Sequence, residues 1–260
     1  MLTVSTQIAR EDDLTIFARM LDSVRFADEL IIFNMERSDS AARTLFKKYR
    51  AKVVEVRTPK VVEEIRARQV REAAGDWVLV MDYDEIVTPA LAKEIRYTIH
   101  DKRYTNVAYY LSRRNYSLGY PLRHGGFGND LVARLFHKLD FVDWPHDIHA
   151  LPSVKGTFGT LSSHMEHHKD ASLEQMVEKT NRYSDVEATQ FFVGGLTLVT
   201  PLTLTRKKCM ETFRRGILKG GLLDGPIGLI QSLYQGYSVF ISYAKLYEKQ
   251  LHASKTDNNS

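Results

Sequence analysis

Residues 77–85 read Trp-Val-Leu-Val-Met-Asp-Tyr-Asp-Glu, five apolar residues followed at once by three carboxylates within four positions. The apolar run predicts a strand that is buried on both faces of a sheet. On an extended chain, alternation places Asp82 and Asp84 on one side, with Tyr83 turned away. Two neighbouring carboxylates repel each other unless a cation lies between them, and Mg²⁺ or Mn²⁺ suits oxygen ligands and commonly bridges to a diphosphate. The segment therefore predicts a metal–diphosphate site, and a solvated turn with helix-capping carboxylates is the alternative.

The segments before this strand predict an α/β fold. Runs with strand composition alternate with helical patterns, in the order strand 2–8, helix 12–23, strand 29–33, helix 40–49, strand 52–56 and helix 63–74. Gly75 predicts the end of the last helix. Strands that alternate with helices form βαβ units around a mainly parallel sheet. Ligands bind beyond the carboxyl ends of such strands, which is where Asp82 and Asp84 follow theirs.

Charge and cysteine content narrow the function classes. The 260 residues carry a net charge of +4, with 27 Lys/Arg against 28 Asp/Glu in residues 1–200 and 9 against 4 in residues 201–260. A near-neutral body argues against nucleic-acid binding, whereas the basic C-terminal region favours an anionic surface as partner. Cys209 is the only cysteine, so no intrachain disulfide can form. Since residues 1–13 do not resemble a signal peptide, we expect a cytoplasmic protein.

The C-terminal region has a distinctive charge pattern. Residues 188–205 and 225–244 are uncharged, and between them lie the cations Arg206, Lys207, Lys208, Arg214, Arg215 and Lys219. Gly194, Gly195 and Pro201 interrupt the first uncharged stretch, and several Gln and Ser residues lower the hydropathy of the second. This composition favours interfacial attachment to an anionic membrane over a membrane span, and a buried helix or a dimer contact is the alternative. We predict a catalytic domain at 1–190 and a helical extension at 191–260.

Other polar residues are candidates for binding the ligand. Asp39 follows the second predicted strand and can accept a hydrogen bond from a nucleobase or ribose. Arg66 and Arg68 precede the carboxylate strand by one helix, and a guanidinium can pair with a diphosphate as readily as with a surface carboxylate. Arg134 lies inside the apolar run 131–136, where its charge costs energy unless an anion or carboxylate meets it.

Seven of the nine histidines lie between residues 124 and 168, at spacings that match no tight structural zinc pattern. His164, His167 and His168 precede a helical stretch that begins at Ser172, which we predict to be its N-cap. One of these three histidines can supply a nitrogen ligand to the same divalent ion. A structural role is the alternative for each of them.

Several of these motifs together resemble one family. Residues 75–85 are similar to the Gly-Asp-Trp…Asp-x-Asp-Glu signature of family 2 inverting glycosyltransferases, and more narrowly to the branch that contains the lipopolysaccharide-core β-glucosyltransferases. That branch also shows Arg-Arg-Asn, His-Gly-Gly-aromatic and Arg-Leu-Phe, which stand here at 113–115, 124–127 and 134–136. The motifs keep a consistent order from about Leu2 to Gln250.

The resemblance implies a GT-A fold, a nucleotide-binding αβα sandwich. It also implies transfer of a hexose from a UDP-sugar, with Mn²⁺ or Mg²⁺, to a hydroxyl of a glycan or glycolipid. By position, Asp82 contacts the ribose or the metal, Asp84 binds the metal and the diphosphate, and Arg68 is the donor-binding arginine. His167 or His168 corresponds to a late histidine near the metal, and we predict His168 as the ligand.

Two departures from the family pattern affect the predicted site. Asn34 stands where the family has an aspartate near the uridine, and Ala150 stands where it has the glutamate that follows a histidine. The nearest carboxylate is Asp147, which we predict to be the catalytic base, ahead of His146 and Asp143.

Two other functions remain open from the sequence. One is a nucleotidyltransferase, although residues 2–13 lack the glycine-rich phosphate loop that such enzymes typically show. The other is a catalytically degenerate glycosyltransferase fold that serves as a binding or scaffold protein.

Overall fold

The structure is a computed structural model that describes residues 1–101, 105–128, 130–146, 151–196 and 198–257, with the backbone alone for 255–257. The chain divides into two compact units. The first comprises Met1–Arg114 and Asn129–Lys169, and the second comprises Asn115–Gly128 and Asp170–Ser260. The domain boundary expected at residue 190 falls within the second unit and stays a prediction.

The elements follow the alternating order that the sequence predicts through the first four strands. From the N-terminus to the central strand they are β1 (Leu2–Ala9), α1 (Leu14–Ser23), β2 (Glu29–Met35), α2 (Ser40–Lys48), β3 (Lys52–Val56), α3 (Glu63–Arg71) and β4 (Trp77–Met81). There follow β5 (Glu85–Val87), α4 (Pro89–His100), β6 (Asn106–Ser117), β7 (Tyr120–Pro121), β8 (Asp130–His137), β9 (Phe141–Asp143), β10 (Ser153–Val154) and β11 (Thr157–Asp170). The helices α5 (Leu173–Val193), α6 (Pro201–Phe213) and α7 (Gly225–Asp257) complete the chain.

A single large sheet organises these strands. Its order is β3-β2-β1-β4-β8-β6-β11-β5, with β7 beside β6, while β9 and β10 form a separate pair. The pairs among β1 to β4 are parallel, whereas β4–β8, β8–β6 and β11–β5 are antiparallel. The predicted α/β class, with a large central sheet and C-terminal helices, is confirmed. The parallel pairing occupies the β3–β4 side of the sheet.

Strand β4 is buried along its whole length, as its apolar run predicts. Trp77, Leu79 and Met81 pack into the cluster that also holds apolar residues of α1, α2 and α4. Val78 and Val80 point to the opposite face and pack with apolar residues of α3. The two clusters place helices on both faces of the sheet, which is the predicted αβα layering.

Gly75 has a different role from the one its position suggests. Helix α3 ends at Arg71, so the expectation that Gly75 terminates it is wrong. A Cβ at Gly75 would lie only 2.7 Å from the Met1 carbonyl oxygen and 2.9 Å from the Thr3 amide nitrogen. The glycine is required because the chain enters β4 pressed against β1.

The second unit is helical and has a small apolar core, made of Ala188, Val199 and Leu246 with partly buried neighbours. Ser172 caps α5 by accepting from the Gln175 amide, as predicted. Helix α5 ends at Val193 and α6 begins at Pro201, which agrees with the expected interruption. No helix among the described residues is both long and apolar enough to span a membrane.

Candidate active site

The carboxylates after β4 lie in a tight turn. The Glu85 amide donates to the Asp82 carbonyl oxygen at 3.2 Å, and the Asp82 amide donates to Glu85 Oε2 at 2.9 Å. The chain therefore turns between Asp82 and Glu85 instead of continuing as a strand. The simple alternation expected for Asp82 and Asp84 does not hold, and each carboxylate has its own set of partners.

Asp82 is held by two arginines and a glutamine. Its Oδ1 accepts from Arg66 of α3 and, at 2.6 Å, from Gln7 Nε2 of β1. Its Oδ2 accepts from Arg134 Nη2 of β8 at 2.5 Å. Because β4 lies between β1 and β8 in the sheet, the three side chains converge on the end of β4 from neighbouring elements.

Burial and charge act in opposite directions on Asp82. Burial alone would raise its pKa, but the positive charges of Arg134 and Arg66 outweigh that effect and hold the pKa of this carboxyl well below its usual range. Burial alone would likewise lower the pKa of Arg134, and Asp82 and Glu85 raise it above its ordinary value. The site therefore carries fixed charges at neutral pH.

Glu85 is a second carboxylate of this cluster and contacts both Arg134 and Arg113. It is fully buried, and Arg134 donates to it twice, from Nη2 at 2.9 Å and from Nε at 3.1 Å. Arg113 donates from Nη1 to Glu85 at 3.3 Å and binds both oxygens of Asp130 at 2.9 and 3.0 Å. The expectation that an anion or carboxylate must meet the charge of Arg134 is confirmed, and the carboxylates are Asp82 and Glu85.

Asp84 has a histidine beside it. The carboxylate is 4% exposed, and its Oδ1 lies 3.6 Å from His167 Nε2. The register explains this contact, because β11 pairs antiparallel with β5 and places His167 opposite Glu85. His168 donates its backbone amide to the Asp84 carbonyl oxygen at 2.9 Å, while its ring Nε2 lies 3.1 Å from Glu166 Oε2. The metal-ligand roles expected for His168 and Asp82 stay predictions.

The donor atoms at Asp84 suit a partly substrate-ligated metal. Among the residues that the structure describes, no three or more His, Cys, Asp or Glu side chains form a group that could hold a metal ion. Asp84 and His167 offer one carboxylate and one imidazole. Mg²⁺-type ions often take only one or two protein ligands and complete their shell with water and substrate phosphates. Asp84 and His167 fit an ion of that kind.

Two predicted donor-binding residues have local partners. Asp39 is the N-cap of α2, where Oδ1 accepts from the Ala42 amide at 2.8 Å and Oδ2 accepts from Arg37 Nε at 2.6 Å. Arg68 is about half exposed and donates from Nε to Glu72 Oε1 at 2.7 Å. Their roles toward a ligand stay predictions. Of the two arginines weighed in α3, Arg66 is the one that reaches Asp82.

The side chain of Asn34 is only partly satisfied. It is buried at the end of β2, and its amide nitrogen donates to Glu55 Oε2 at 2.8 Å and to the Arg37 carbonyl oxygen at 2.9 Å. Its Oδ1 has no hydrogen-bond partner within the described part of the chain.

The predicted catalytic base lies outside the described residues. Asp147 belongs to 147–150, together with His149 and Ala150. Its assignment stays a prediction. Asp143, which ranked below it, is exposed and pairs with Arg71 Nη2 at 2.8 Å.

Two buried glutamines, Gln7 and Gln69, belong to this cluster and were not predicted from the sequence. Gln69 Nε2 donates to Gln7 Oε1 at 2.8 Å, and Arg66 donates to both side-chain oxygens. Gln7 thus links α3 to Asp82. The available signal was Gln7, a long polar side chain near the carboxyl end of the predicted strand 2–8.

Comparison with known proteins gives the following relatives. No family model matches the chain. Two curated proteins named uncharacterized glycosyltransferases, from Rickettsia conorii and Rickettsia felis, are 24% and 23% identical to it; each match covers 95% of this chain and 91% or 90% of the relative. Among solved structures, a mannosyltransferase from Pyrobaculum calidifontis in complex with GDP-Man and Mn²⁺ matches all of this chain and 80% of its own, with 14% identity and a TM-score of 0.47. The chain is thus similar over nearly its whole length to curated proteins that are named glycosyltransferases.

Proposed function

We propose that this protein is a glycosyltransferase of GT-A type that moves a hexose from a UDP-sugar to a hydroxyl of a glycan or glycolipid, with inversion and with Mn²⁺ or Mg²⁺. One observation carries the proposal. At the end of β4, Asp84 lies beside His167 of β11 and in the same turn as Asp82, whose carboxylate two arginines hold in place. The names of the curated relatives support the same class of reaction.

Five side chains of this site act in binding the donor and its metal ion. When bound, the divalent ion supplies the charge that stabilises the departing diphosphate. Asp84 and His167 would hold it. A carboxylate has about four lone-pair sites, so Asp82 can accept from a ribose hydroxyl while it keeps its arginine and glutamine partners. Because Arg66 and Arg134 bind the Asp82 carboxylate in the absence of a ligand, its orientation is fixed before the donor binds.

The transfer is a single displacement. The acceptor oxygen forms a bond to the anomeric carbon as the bond from that carbon to the diphosphate oxygen breaks, and UDP leaves with the electron pair. A carboxylate takes the acceptor proton on the face opposite the leaving group. We assign that role to Asp147.

Release of UDP from a panel of UDP-sugars, with and without Mn²⁺, tests this function. We expect metal-dependent UDP release by the wild type and its loss in Asp84→Asn. Asp22→Asn is the matched control, because it removes an exposed carboxylate that pairs with the exposed Arg25. Asp147→Asn should bind UDP normally and lose transfer. A folded wild type that binds UDP but releases none from any donor would instead be a degenerate binding protein.

The basic second unit supports a location for the reaction. We place the protein on the cytoplasmic face of the inner membrane, where a glycolipid acceptor would be presented. Residues 201–260 carry 9 Lys/Arg against 4 Asp/Glu, and such an excess is attracted to the anionic lipids of that surface.

A further inference from the structure

The second unit contains a helical hairpin whose large apolar side chains face outward. The hairpin consists of α6, a π-helical segment (Arg214–Leu218), a 3₁₀ turn (Gly221–Asp224) and the first four turns of α7. Its outward apolar residues are between 44% and 75% exposed, and they are Leu202, Met210, Phe213, Ile217, Leu218, Leu222, Leu223, Leu229 and Leu233.

Small residues make the inner contact of the hairpin. A Cβ at Gly236 of α7 would lie 2.1 Å from Thr212 Oγ1 of α6. A Cβ at Gly221 would lie 2.6 Å from the Arg215 carbonyl oxygen, and the chain at Gly216 also passes close to Ser232. The two arms therefore approach too closely for large side chains to fit between them. Contact of this kind is typical of helices packed within lipid.

In the first four turns of α7, the buried face is polar as well as small. Gln231 is 1% exposed and donates to Ser117 Oγ at 2.6 Å and to Asp170 Oδ2 at 3.1 Å. Ser232 donates to the Gly228 carbonyl oxygen at 2.7 Å. Leu229 and Leu233, one turn apart, lie on the exposed face. A helix that packs in water shows the opposite arrangement, with leucines inside and polar groups outside.

The tip of the hairpin is braced by a loop of the same unit. Asp224 accepts from the backbone amides of Arg123 and His124 at 2.9 and 2.8 Å, and its Oδ1 lies 2.7 Å from His124 Nδ1. Arg215 donates to the Gly125 carbonyl oxygen at 2.8 Å, and the Gly125 amide donates to the Lys219 carbonyl oxygen at 2.8 Å. These bonds hold the tip in place while its leucines face solvent.

The charges of the hairpin favour an anionic bilayer over a second copy of the chain as the partner of its apolar face. Soluble monomers rarely expose apolar patches larger than a few hundred Å². A two-fold contact that covered this surface would place Arg206, Lys208 and Lys219 of both copies in one interface, where six cations would repel each other or lose their hydration. A bilayer with anionic headgroups neutralises them and buries the leucines.

We propose that the hairpin is a membrane-binding wedge for anionic bilayers. Phe213, Ile217, Leu222 and Leu223 enter the boundary between headgroups and acyl chains, while the cations of α6 contact the headgroups. The benefit of the wedge, which is to bring the enzyme to a lipid-linked acceptor, rests on the proposed function. Lipid binding itself does not require catalysis.

Flotation of the full chain with lipid vesicles tests the wedge. At low salt, the wild type should float with phosphatidylcholine vesicles that contain about one-third phosphatidylglycerol, and its partition should fall several-fold on pure phosphatidylcholine or at about 0.5 M NaCl. Leu222→Ser/Leu223→Ser should reduce the partition by about tenfold or more, because each leucine loses its transfer into lipid. Leu173→Ser/Val177→Ser is the matched control, since it removes two similarly exposed apolar residues from α5 and should float like the wild type.

A second readout reports insertion directly. The emission of Leu223→Trp should shift to shorter wavelength on anionic vesicles and be quenched by lipids with brominated acyl chains. Absence of flotation at low salt, unchanged flotation of Leu222→Ser/Leu223→Ser, or a wild-type dimer that those substitutions dissociate would each overturn the proposal. UDP release is measured in parallel without vesicles. Vesicle binding without UDP release would remove the glycosyltransferase assignment and leave the wedge in place.

Discussion

Replacement of Arg134 by methionine should strongly destabilise the first unit at neutral pH. Methionine keeps the unbranched apolar part of the side chain but has no charge and no donors, so Glu85 would lose two of its three arginine hydrogen bonds and Asp82 would lose the partner of Oδ2. Removing one member of a buried ion pair costs about 3–5 kcal/mol, because it leaves an uncompensated buried charge. That is a large part of the 5–15 kcal/mol, roughly, that stabilises a typical domain.

Urea denaturation followed by circular dichroism measures this cost, with Arg68→Met as the control. Arg68 is about half exposed and pairs with Glu72 one helical turn away, so its loss should cost about 1 kcal/mol or less. A penalty below about 1 kcal/mol for Arg134→Met would contradict this prediction, because the charges of Asp82 and Glu85 would then be compensated without Arg134.

The pH dependence provides a second check on the same cause. The pKa of Asp82 is depressed in the folded protein, so this carboxylate contributes stability above its unfolded pKa, and that contribution is lost as the pH falls through the folded pKa. Without Arg134 the pKa of Asp82 rises, so the carboxyl takes up a proton at a higher pH than in the wild type. The penalty of Arg134→Met should therefore be smaller near pH 3 than at pH 7. An equal penalty at both pH values would show that lost packing, and not charge, is responsible.

Three further substitutions give separate tests. His167→Ala should weaken Mn²⁺ activation of UDP release more than His168→Ala does, as measured by titrating the metal, and the reverse order would favour the ligand assigned from the sequence. Asp39→Ser keeps a capping oxygen, so the midpoint of thermal unfolding should change little. The KM for the donor should rise, because the carboxylate that we assign to the nucleoside is lost. An unchanged KM would leave Asp39 with the role of a helix cap alone. Gly236→Ala should destabilise the second unit by about 1–3 kcal/mol, because the new Cβ would collide with the Thr212 hydroxyl. Calorimetry measures this loss, and Gly236→Ala/Thr212→Ser, which retains the hydroxyl, should not regain the lost stability.

Local patterns in the sequence predicted much of this structure. Five apolar residues in a row with β-formers among them indicate a strand covered on both faces, and the structure buries all of β4. The position of Arg134 inside an apolar run predicted an anionic partner, and Asp82 and Glu85 are its partners. Gly194 and Pro201 marked the gap between α5 and α6. These predictions succeed because hydrophobic period, capping and chain breaking depend on residues within a few positions of one another.

Other features depend on pairings between distant parts of the chain. The contact between Asp84 and His167 arises because β11 returns antiparallel to β5 in a register that places His167 opposite Glu85. A shift by one residue would present His168 to that face instead, since alternate side chains of a strand point to opposite faces.

The buried strand β4 and the carboxylates that follow it could be predicted from the sequence, because both depend on neighbouring residues. Which arginines bind Asp82 and which histidine contacts Asp84 depends on the tertiary fold. The tertiary fold also decided that the leucines of the C-terminal hairpin face outward, because glycines and serines occupy the contact between its arms. An uncharged helix shows the same composition whether its apolar side chains point inward or outward, and its orientation follows from what packs against it.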